Sequence, residues 1–343
     1  MRIVVFGAGG FVGGWVCEEL SQQPGIEQVA CVRKWASAVR LARRGVDIRQ
    51  ADLEDAAQVA AALVGADVVV NAAMPPPSRE PELVTALYHA SVRAGVRRFI
   101  QFSSAAIYGD RTGAVDESMA PAPADDYSRG KAEMESHLLE AAGQGALHLF
   151  ILRPSIIYGP FSDAWTVRYV QRIVKGRWRG LGRAGDGTCN LVHAHDVAKA
   201  VIAAAAVDIP PGVHVLNING ADTVSWNEYI EQLGDALGTP GRTIPSATRF
   251  RGMAFVAGLM RLGGSFTLVR TLYRRSAGTP RAAMKSAQAT TQLYPSSGEL
   301  DLLGRRVHYS AARAARVLGL EPATPLDDGL RQAVAWCRTH GVI

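Results

Sequence analysis

Of the nine tyrosines in the chain, Tyr127 alone is followed four residues later by a lysine, in Tyr127-Ser128-Arg129-Gly130-Lys131. On a helix that spacing sets both side chains on one face. A phenol ordinarily titrates near about pH 10, and an ammonium one turn away stabilises the phenolate, so the pair suits general acid/base work. Lysine is also the scarcer cation here, because arginine fills 32 of the 37 basic positions. Earlier in the chain an apolar run ends in Phe102-Ser103-Ser104-Ala105-Ala106-Ile107-Tyr108-Gly109. A hydroxyl at that end, Ser104, could hydrogen-bond a reacting oxygen and orient it toward Tyr127. Taken singly, each residue has a bland reading: a surface tyrosine over a lysine stem, and a serine in a strand-end turn.

A second cluster stands at the start of the chain, where Gly7-Ala8-Gly9-Gly10-Phe11-Val12-Gly13 follows the run Arg2–Phe6 at once and opens a helical pattern. Its register is Gly7-x-x-Gly10-x-x-Gly13; the G-x-G-x-x-G form would need glycine where Val12 sits. Such a loop offers backbone N–H groups and the positive end of a helix to a pyrophosphate. Gly7, Gly9, Gly10, Phe11, Val12 and Gly13 are therefore candidate dinucleotide contacts. About 20 residues after such a loop, a group at the end of the second strand meets the adenosine ribose, an acid for a free hydroxyl or an arginine for a 2′-phosphate. Here Arg33 and Lys34 follow the second apolar run. A two-pronged guanidinium suits a phosphate, so the expected cofactor is NADP in preference to NAD.

These residues need a scaffold, and the first 150 positions supply its rhythm. Apolar runs at Arg2–Phe6, Gln28–Arg33, Val46–Gln50, Asp67–Asn71, Arg98–Ser103 and Leu147–Arg153 alternate with helical patterns at Val12–Gln22, Ala56–Val64, Pro81–Ala94 and Tyr127–Ala142. Continuously apolar strands separated by helices imply a parallel sheet covered on both faces. The expected fold class is α/β, a doubly wound Rossmann lobe over residues 1–160 that returns at about 190–220, with a smaller, interleaved, mainly helical substrate lobe over 161–189 and 221–343. A helix is expected at Trp165–Lys175, and a strand and helix around Cys189–Val207 before a last strand at Val213–Asn217.

Composition narrows the function classes. The 343 residues are 48% hydrophobic and 20% charged, which excludes a disordered or fibrous chain. Cys17, Cys31, Cys189 and Cys337 stand singly, without metal-knuckle spacing, as in a reducing compartment. No apolar stretch approaches the length of a membrane span, and the reading is a cytoplasmic protein. The net charge of +6 is local in origin: Arg242–Lys285 carries nine cations in a stretch without an acid, while the remainder has 28 basic and 31 acidic residues. This segment reads as a solvated face, as a lid clamping an anionic substrate, or, least favoured, as a membrane-surface contact. Too few aromatics interleave with its arginines for a nucleic-acid surface. Met253–Leu262 within it reads as helical core. His193, His195 and Asp196 could suggest a metal; the favoured reading is that Asp196 caps a helix while the histidines bond backbone, with no metal.

The glycine loop, Ser-Ser-x-x-x-Tyr-Gly, Tyr127-x-x-x-Lys131 and Leu152-Arg153-Pro154-Ser155-Ile156-Ile157-Tyr158-Gly159-Pro160 together resemble the extended short-chain dehydrogenase/reductase family, the NAD(P)-dependent epimerase/dehydratases. The resemblance covers about residues 1–220. It implies that Tyr127 is the general acid/base, that Lys131 holds the nicotinamide ribose and tunes the tyrosine, and that Ser104 polarises the reacting oxygen. It also places Asp52 and Leu53 at the adenine, Ala72, Ala73 and Ser103 along the dinucleotide, and Pro154, Ser155 and Ile156 against the nicotinamide. The implied reaction moves a hydride between nicotinamide and a secondary alcohol or ketone carbon, foremost of a nucleotide-activated sugar. The alternative is an NADP-dependent reductase or 3-hydroxy dehydrogenase of a sterol- or lipid-like substrate, and the third reading is a non-catalytic dinucleotide sensor. Two departures stand out. The helix before the fifth strand lacks the family's asparagines, reading Glu-Leu-Val-Thr-Ala-Leu-Tyr over Glu82–Tyr88. Cys189-Asn190-Leu191-Val192 also replaces an Arg-Asp-Phe-like stretch, which removes an arginine suited to a diphosphate. The resemblance further implies a homodimer through the helices at Pro81–Ala94 and Tyr127–Ala142.

Overall fold

The computed structural model describes residues 1–143, 147–175, 180–239, 295–320 and 323–343. The basic segment Arg242–Lys285 and the apolar stretch Met253–Leu262 lie outside the described residues. The chain divides into two compact units, Met1–Tyr158 with Asn190–Asp222 and His308–Pro325, and Gly159–Cys189 with Thr223–Val307 and Leu326–Ile343.

The first unit is built on seven strands: β1 (Arg2–Phe6), β2 (Glu27–Val32), β3 (Asp47–Gln50), β4 (Val68–Asn71), β5 (Arg98–Phe102), β6 (His148–Pro154) and β7 (Val213–Ile218). They form one sheet in the order β7-β6-β5-β4-β1-β2-β3, and every neighbouring pair is parallel. The chain works outward from β1 to β3, then crosses back to β4 on the other side of β1. That reversal opens a crevice beyond the carboxyl ends of β1 and β4.

Alternation within the strands feeds two cores. Ile3 and Val5 of β1 face one side with Val68, Val70, Ile100 and Leu152, where α1 (Phe11–Leu20) contributes Val16, Cys17 and Leu20. Val4 and Phe6 face the other with Val69, Phe99 and Ile151, beneath α2 (Ala56–Leu63), α3 (Glu80–Arg93) and α4 (Asp126–Ala142). Because both faces are covered, the strands read as continuous apolar runs rather than alternating ones. The helix α5 (Ala194–Ala206) covers the first face beside α1 through Val197, Val201 and Ala204. The element starts follow local chemistry: Asp55 accepts from the Ala57 and Gln58 amides to cap α2, and Asp125 and Ser128 form a reciprocal capping box on α4.

The segment His308–Pro325, which the sequence assigns to the second lobe, belongs to the first unit. Its helix Ala312–Leu318 buries Ala314 and Leu318 in the α1/α5 core, and Asp196 accepts hydrogen bonds from the Thr324 amide and hydroxyl, both at 2.9 Å. The second unit, by itself, has helices at Arg168–Val174, Trp226–Ala236, Ser297–Gly304 and Leu326–Thr339. Tyr169, Trp226 and Tyr229 pack at its centre, and the buried Arg172 meets Glu299 at 2.5 Å. The helix expected at Trp165–Lys175 starts as a π turn at Asp163–Val167 before becoming α-helical.

Candidate functional site

The parallel register brings the carboxyl ends of the strands level, with Phe6 opposite Cys31 and Asn71, Asn71 opposite Gln101, and Phe102 opposite Leu152. Gly7, Arg33, Asp52, Ala72, Ser103 and Ser155 each lie just beyond one of these ends. Residues dispersed over 150 positions therefore share one edge of the sheet, the edge at which open α/β folds bind ligands.

At β1 the glycines are required by space. Gly7 has φ +76°, and a Cβ there would stand 2.4 Å from the Ala73 nitrogen. A Cβ on Gly13 would stand 2.3 Å from the Gly7 carbonyl oxygen, and one on Gly9 would meet the Ser37 carbonyl at 2.6 Å. The loop closes with the Gly10 amide donating to the Gly7 carbonyl at 2.9 Å. Helix α1 then starts at Phe11 with Gly10 as its cap residue, no side-chain cap and no acid in its first turn. Its leading amides and positive end are thus left for an anion, which is what a pyrophosphate needs.

The adenosine side is basic. Arg33 and Lys34 are exposed beyond β2, whereas Arg40 is bound by both Glu18 carboxylate oxygens at 2.9 Å and is occupied. Asp52 turns its carboxylate onto the Glu54 amide at 3.2 Å, and its own amide donates to Gln58. Leu53 packs on the core under α2. Ala72 and Ala73 continue from β4, with Asn71 Oδ1 accepting from the Ala73 amide at 3.2 Å.

The reactive side lies at β5 and α4. Ser103 is buried, and its Oγ has no hydrogen-bond partner among the described residues. Ser104 caps the 3-10 turn Ala105–Tyr108, its Oγ accepting from the Ala106 amide at 3.1 Å, so its O–H stays available to donate. This turn packs against α4. Tyr127 is the second residue of α4 and 38% exposed, whereas Lys131 is 4% exposed. The Lys131 Nζ stands 5.9 Å from the centre of the Tyr127 ring, donates to the Phe102 carbonyl at 3.1 Å, and donates to Glu80 Oε1 at 2.7 Å. Glu80, at the start of α3, is a member of this cluster that the sequence reading did not single out. The signal for it was indirect: a carboxylate beside Pro81, in the first turn of a helix.

A buried network carries the next turn of α4. Arg153 grips Glu135 through Nε at 2.9 Å and Nη2 at 2.5 Å, donates to the Tyr108 hydroxyl at 2.8 Å, and that hydroxyl donates to Asn217 Oδ1 at 2.8 Å. This ties α4, the Ala105–Tyr108 turn, β6 and β7 together. Pro154 is buried at the end of β6. Ser155 donates its hydroxyl to Asn219 Oδ1 at 2.6 Å, which engages it with protein, and Ile156 is half-buried beside Leu191.

The His193 region differs from expectation in one respect. His193, not Asp196, caps α5, its Nδ1 accepting the His195 amide at 3.4 Å, because the helix already begins at Ala194 and Asp196 lies inside its first turn, where its carboxylate accepts from Thr324. Burial pulls the His193 imidazole down to about 4, so the ring is neutral near pH 7. Cys189 is fully buried in the second unit, where desolvation pushes its thiol well up, and Asn190 Oδ1 accepts the Tyr309 amide at 3.1 Å. Among the described residues no three His, Cys, Asp or Glu side chains gather as metal ligands, and no helix is long and apolar enough to cross a membrane.

Known proteins resemble this chain in sequence and fold. The chain is 28% identical over 309 residues to a 3beta-hydroxysteroid-dehydrogenase/decarboxylase isoform 2 of Arabidopsis thaliana, covering 83% of this chain and 50% of that protein. It is 28% identical over 159 residues to UDP-glucose 4-epimerase of Vibrio cholerae, covering 45% of this chain and 48% of the other. It thus spans about half the length of these two relatives. The crystal structure of UDP-glucuronic acid 4-epimerase from Bacillus cereus in complex with NAD superposes with a TM-score of 0.74 at 17% identity, covering 99% of both chains. The NAD dependent epimerase/dehydratase family matches residues 3–218, nearly two-thirds of the chain, and spans the glycine loop, Ser104, Tyr127 and Lys131. The chain belongs to that family, and its doubly wound sheet is the fold of the superposed epimerase.

Proposed function

We propose that the chain transfers a hydride between nicotinamide and a secondary alcohol or ketone carbon, with Tyr127, Lys131 and Ser104 as the working side chains. The observation that carries this reading is their position at the same sheet edge as an uncapped, glycine-lined helix start. The residues present suit a dinucleotide: free leading amides on α1, one Lys131 N–H beyond the two already used, and the unpartnered Ser103 hydroxyl. When bound, the nicotinamide supplies or accepts the hydride. Ser104 donates its O–H to the reacting oxygen and holds it. As the phenolate, Tyr127 takes the proton from an alcohol being oxidised; as the phenol, it gives its proton to the oxygen of a ketone being reduced. Lys131 orients the ribose and offsets negative charge on the phenol oxygen.

Arg33 and Lys34 favour NADP over NAD, since two exposed cations beyond β2 suit a 2′-phosphate. Arg33→Asp is expected to weaken NADP roughly tenfold or more while leaving NAD within a factor of about three, about 1.4 kcal/mol per tenfold. Titration of both dinucleotides into both proteins checks this; equal affinities unchanged by the substitution would overturn the preference.

A nucleotide-activated sugar is the first substrate class, consistent with the sugar epimerases among the relatives. A sterol-like 3-hydroxy alcohol is favoured by the sequence: Cys189-Asn190-Leu191-Val192 stands in place of the Arg-Asp-Phe-like stretch of the nucleotide-sugar enzymes, without an arginine suited to a diphosphate. The relatives aligned over most of this chain include hydroxysteroid dehydrogenases. Purified protein assayed with UDP-hexoses and with 3-hydroxy and 3-keto steroids separates the two. Nicotinamide absorbance reads net redox, and NMR of the sugar reads epimer interconversion. Turnover in neither class with either dinucleotide would overturn the hydride-transfer reading.

A further inference from the structure

We propose that Glu80 is the positioning residue of Lys131, keeping its ammonium ionised and aimed beneath Tyr127; this rests on the assignment of Tyr127 and Lys131 to proton transfer. The pair is deep, with Glu80 1% and Lys131 4% exposed, and joined at 2.7 Å. An ammonium with so little access to water favours its neutral form unless an anion faces it. A neutral amine could neither offset charge on the phenol oxygen nor offer three N–H donors. With Glu80 and the Phe102 carbonyl taking two donors, one remains for a ligand, and its direction is fixed by the other two.

The fold spends several features on placing this carboxylate. The Pro76 carbonyl accepts the Arg79 amide at 2.8 Å and the Glu80 amide at 3.0 Å, which sets the start of α3. Glu80 then sits in the first turn, where a helix end favours a negative charge. The same loop rests on α4 at Gly130, where a Cβ would stand 2.7 Å from the Pro77 carbonyl. The missing side chain between Tyr127 and Lys131 thus lets α3 approach closely enough for the pair to form.

Nearby titratable groups on the packed elements have other neighbours. Glu135, one turn along α4, is held by Arg153, as is Tyr108 on the turn against α4. On α3, Arg79 and Glu82 are exposed and pair with each other, and Tyr88 lies edge-on to Phe99. Arg98, at the far end of β5, donates to the Ala204 and Val207 carbonyls. Glu80 is therefore the carboxylate that Lys131 meets.

The chain contains five lysines, so the Lys131 side-chain signal can be followed by NMR in the dinucleotide-free protein across a pH titration. In Glu80→Gln, which keeps size and an acceptor oxygen, the Lys131 side-chain signal is expected to move from its position in the unaltered protein because its charged partner is lost. The value of kcat/KM at pH 7 should fall by about tenfold or more. Glu80→Asp, which restores the charge on a shorter arm, should recover most of both, and thermal unfolding shows that each variant folds. An unchanged lysine signal and an unchanged kcat/KM profile in folded Glu80→Gln overturn the proposal; if that variant does not fold, the same pair of readings on Glu80→Ala takes its place, and an unchanged pair there overturns it. Tyr127→Phe measured in parallel separates the two readings. Full turnover there sinks the acid/base assignment, whereas its loss beside an unchanged Glu80→Gln profile sinks the Glu80 proposal alone.

Discussion

Tyr127→Phe lowers turnover by roughly a hundredfold to ten-thousandfold, the range that a positioned proton-transfer group supplies, while the dinucleotide dissociation constant moves by less than about threefold, under 1 kcal/mol. The split follows from the placement of the ring. Tyr127 is the second residue of α4 and more than a third exposed, so phenylalanine keeps the shape and removes only the hydroxyl. The cap of α4 is made by Asp125 and Ser128 and is untouched. Lys131 remains fixed by Glu80 and Phe102, independent of the phenol. Steady-state kinetics with the substrate class that turns over, beside a fluorescence titration of the dinucleotide, gives both numbers. Wild-type turnover in the variant would remove Tyr127 from the chemistry.

The second large effect is at Gly13, and its sign opposes helix propensity. Alanine inside an exposed helix is normally better than glycine by about 1 kcal/mol. Here the new Cβ would stand 2.3 Å from the Gly7 carbonyl oxygen, 2.8 Å from its carbon and 3.0 Å from the Ala8 Cα. All three are backbone atoms of the loop that must cradle a phosphate, and none can swing away as a side chain would. Gly13→Ala is expected to cost on the order of 1–3 kcal/mol of stability and to weaken dinucleotide binding by about tenfold or more, because α1 must move off the loop. Gly14→Ala, one residue on, meets only the end of the Arg40 side chain and should change both quantities less. Thermal unfolding and dinucleotide titration of the two variants check the contrast; a Gly13→Ala protein with wild-type Tm and affinity would show that the close approach is not real.

Much of the scaffold was legible because its signals are local. β1 was read to the residue, and β2 to β6 and α1 to α4 within one or two positions, since apolar runs and helical periodicity act over a few neighbours. Ser104 shows how a local reading can be incomplete. Its turn-capping hydrogen bond to Ala106 is the bland expectation, yet the same hydroxyl keeps a donor free at the crevice. His193 shows the opposite: proximity in sequence favoured Asp196 as the cap of α5, but the helix already begins at Ala194, and a partner 128 residues away, Thr324, claims that carboxylate.

By itself the sequence determined the sheet, its glycine loop and the tyrosine-lysine pair, because each is written in consecutive residues whose spacing fixes geometry within one element. Only the tertiary structure decided what Lys131 faces and where His308–Pro325 belongs. Glu80 and Lys131 are 51 positions apart, on helices whose approach depends on Pro77 lying against Gly130. Likewise, Ala314 and Leu318 join a core whose other members reach back as far as Ile3 of β1. A buried charge is stable only beside its counter-charge, and no periodicity in either helix records that they will meet.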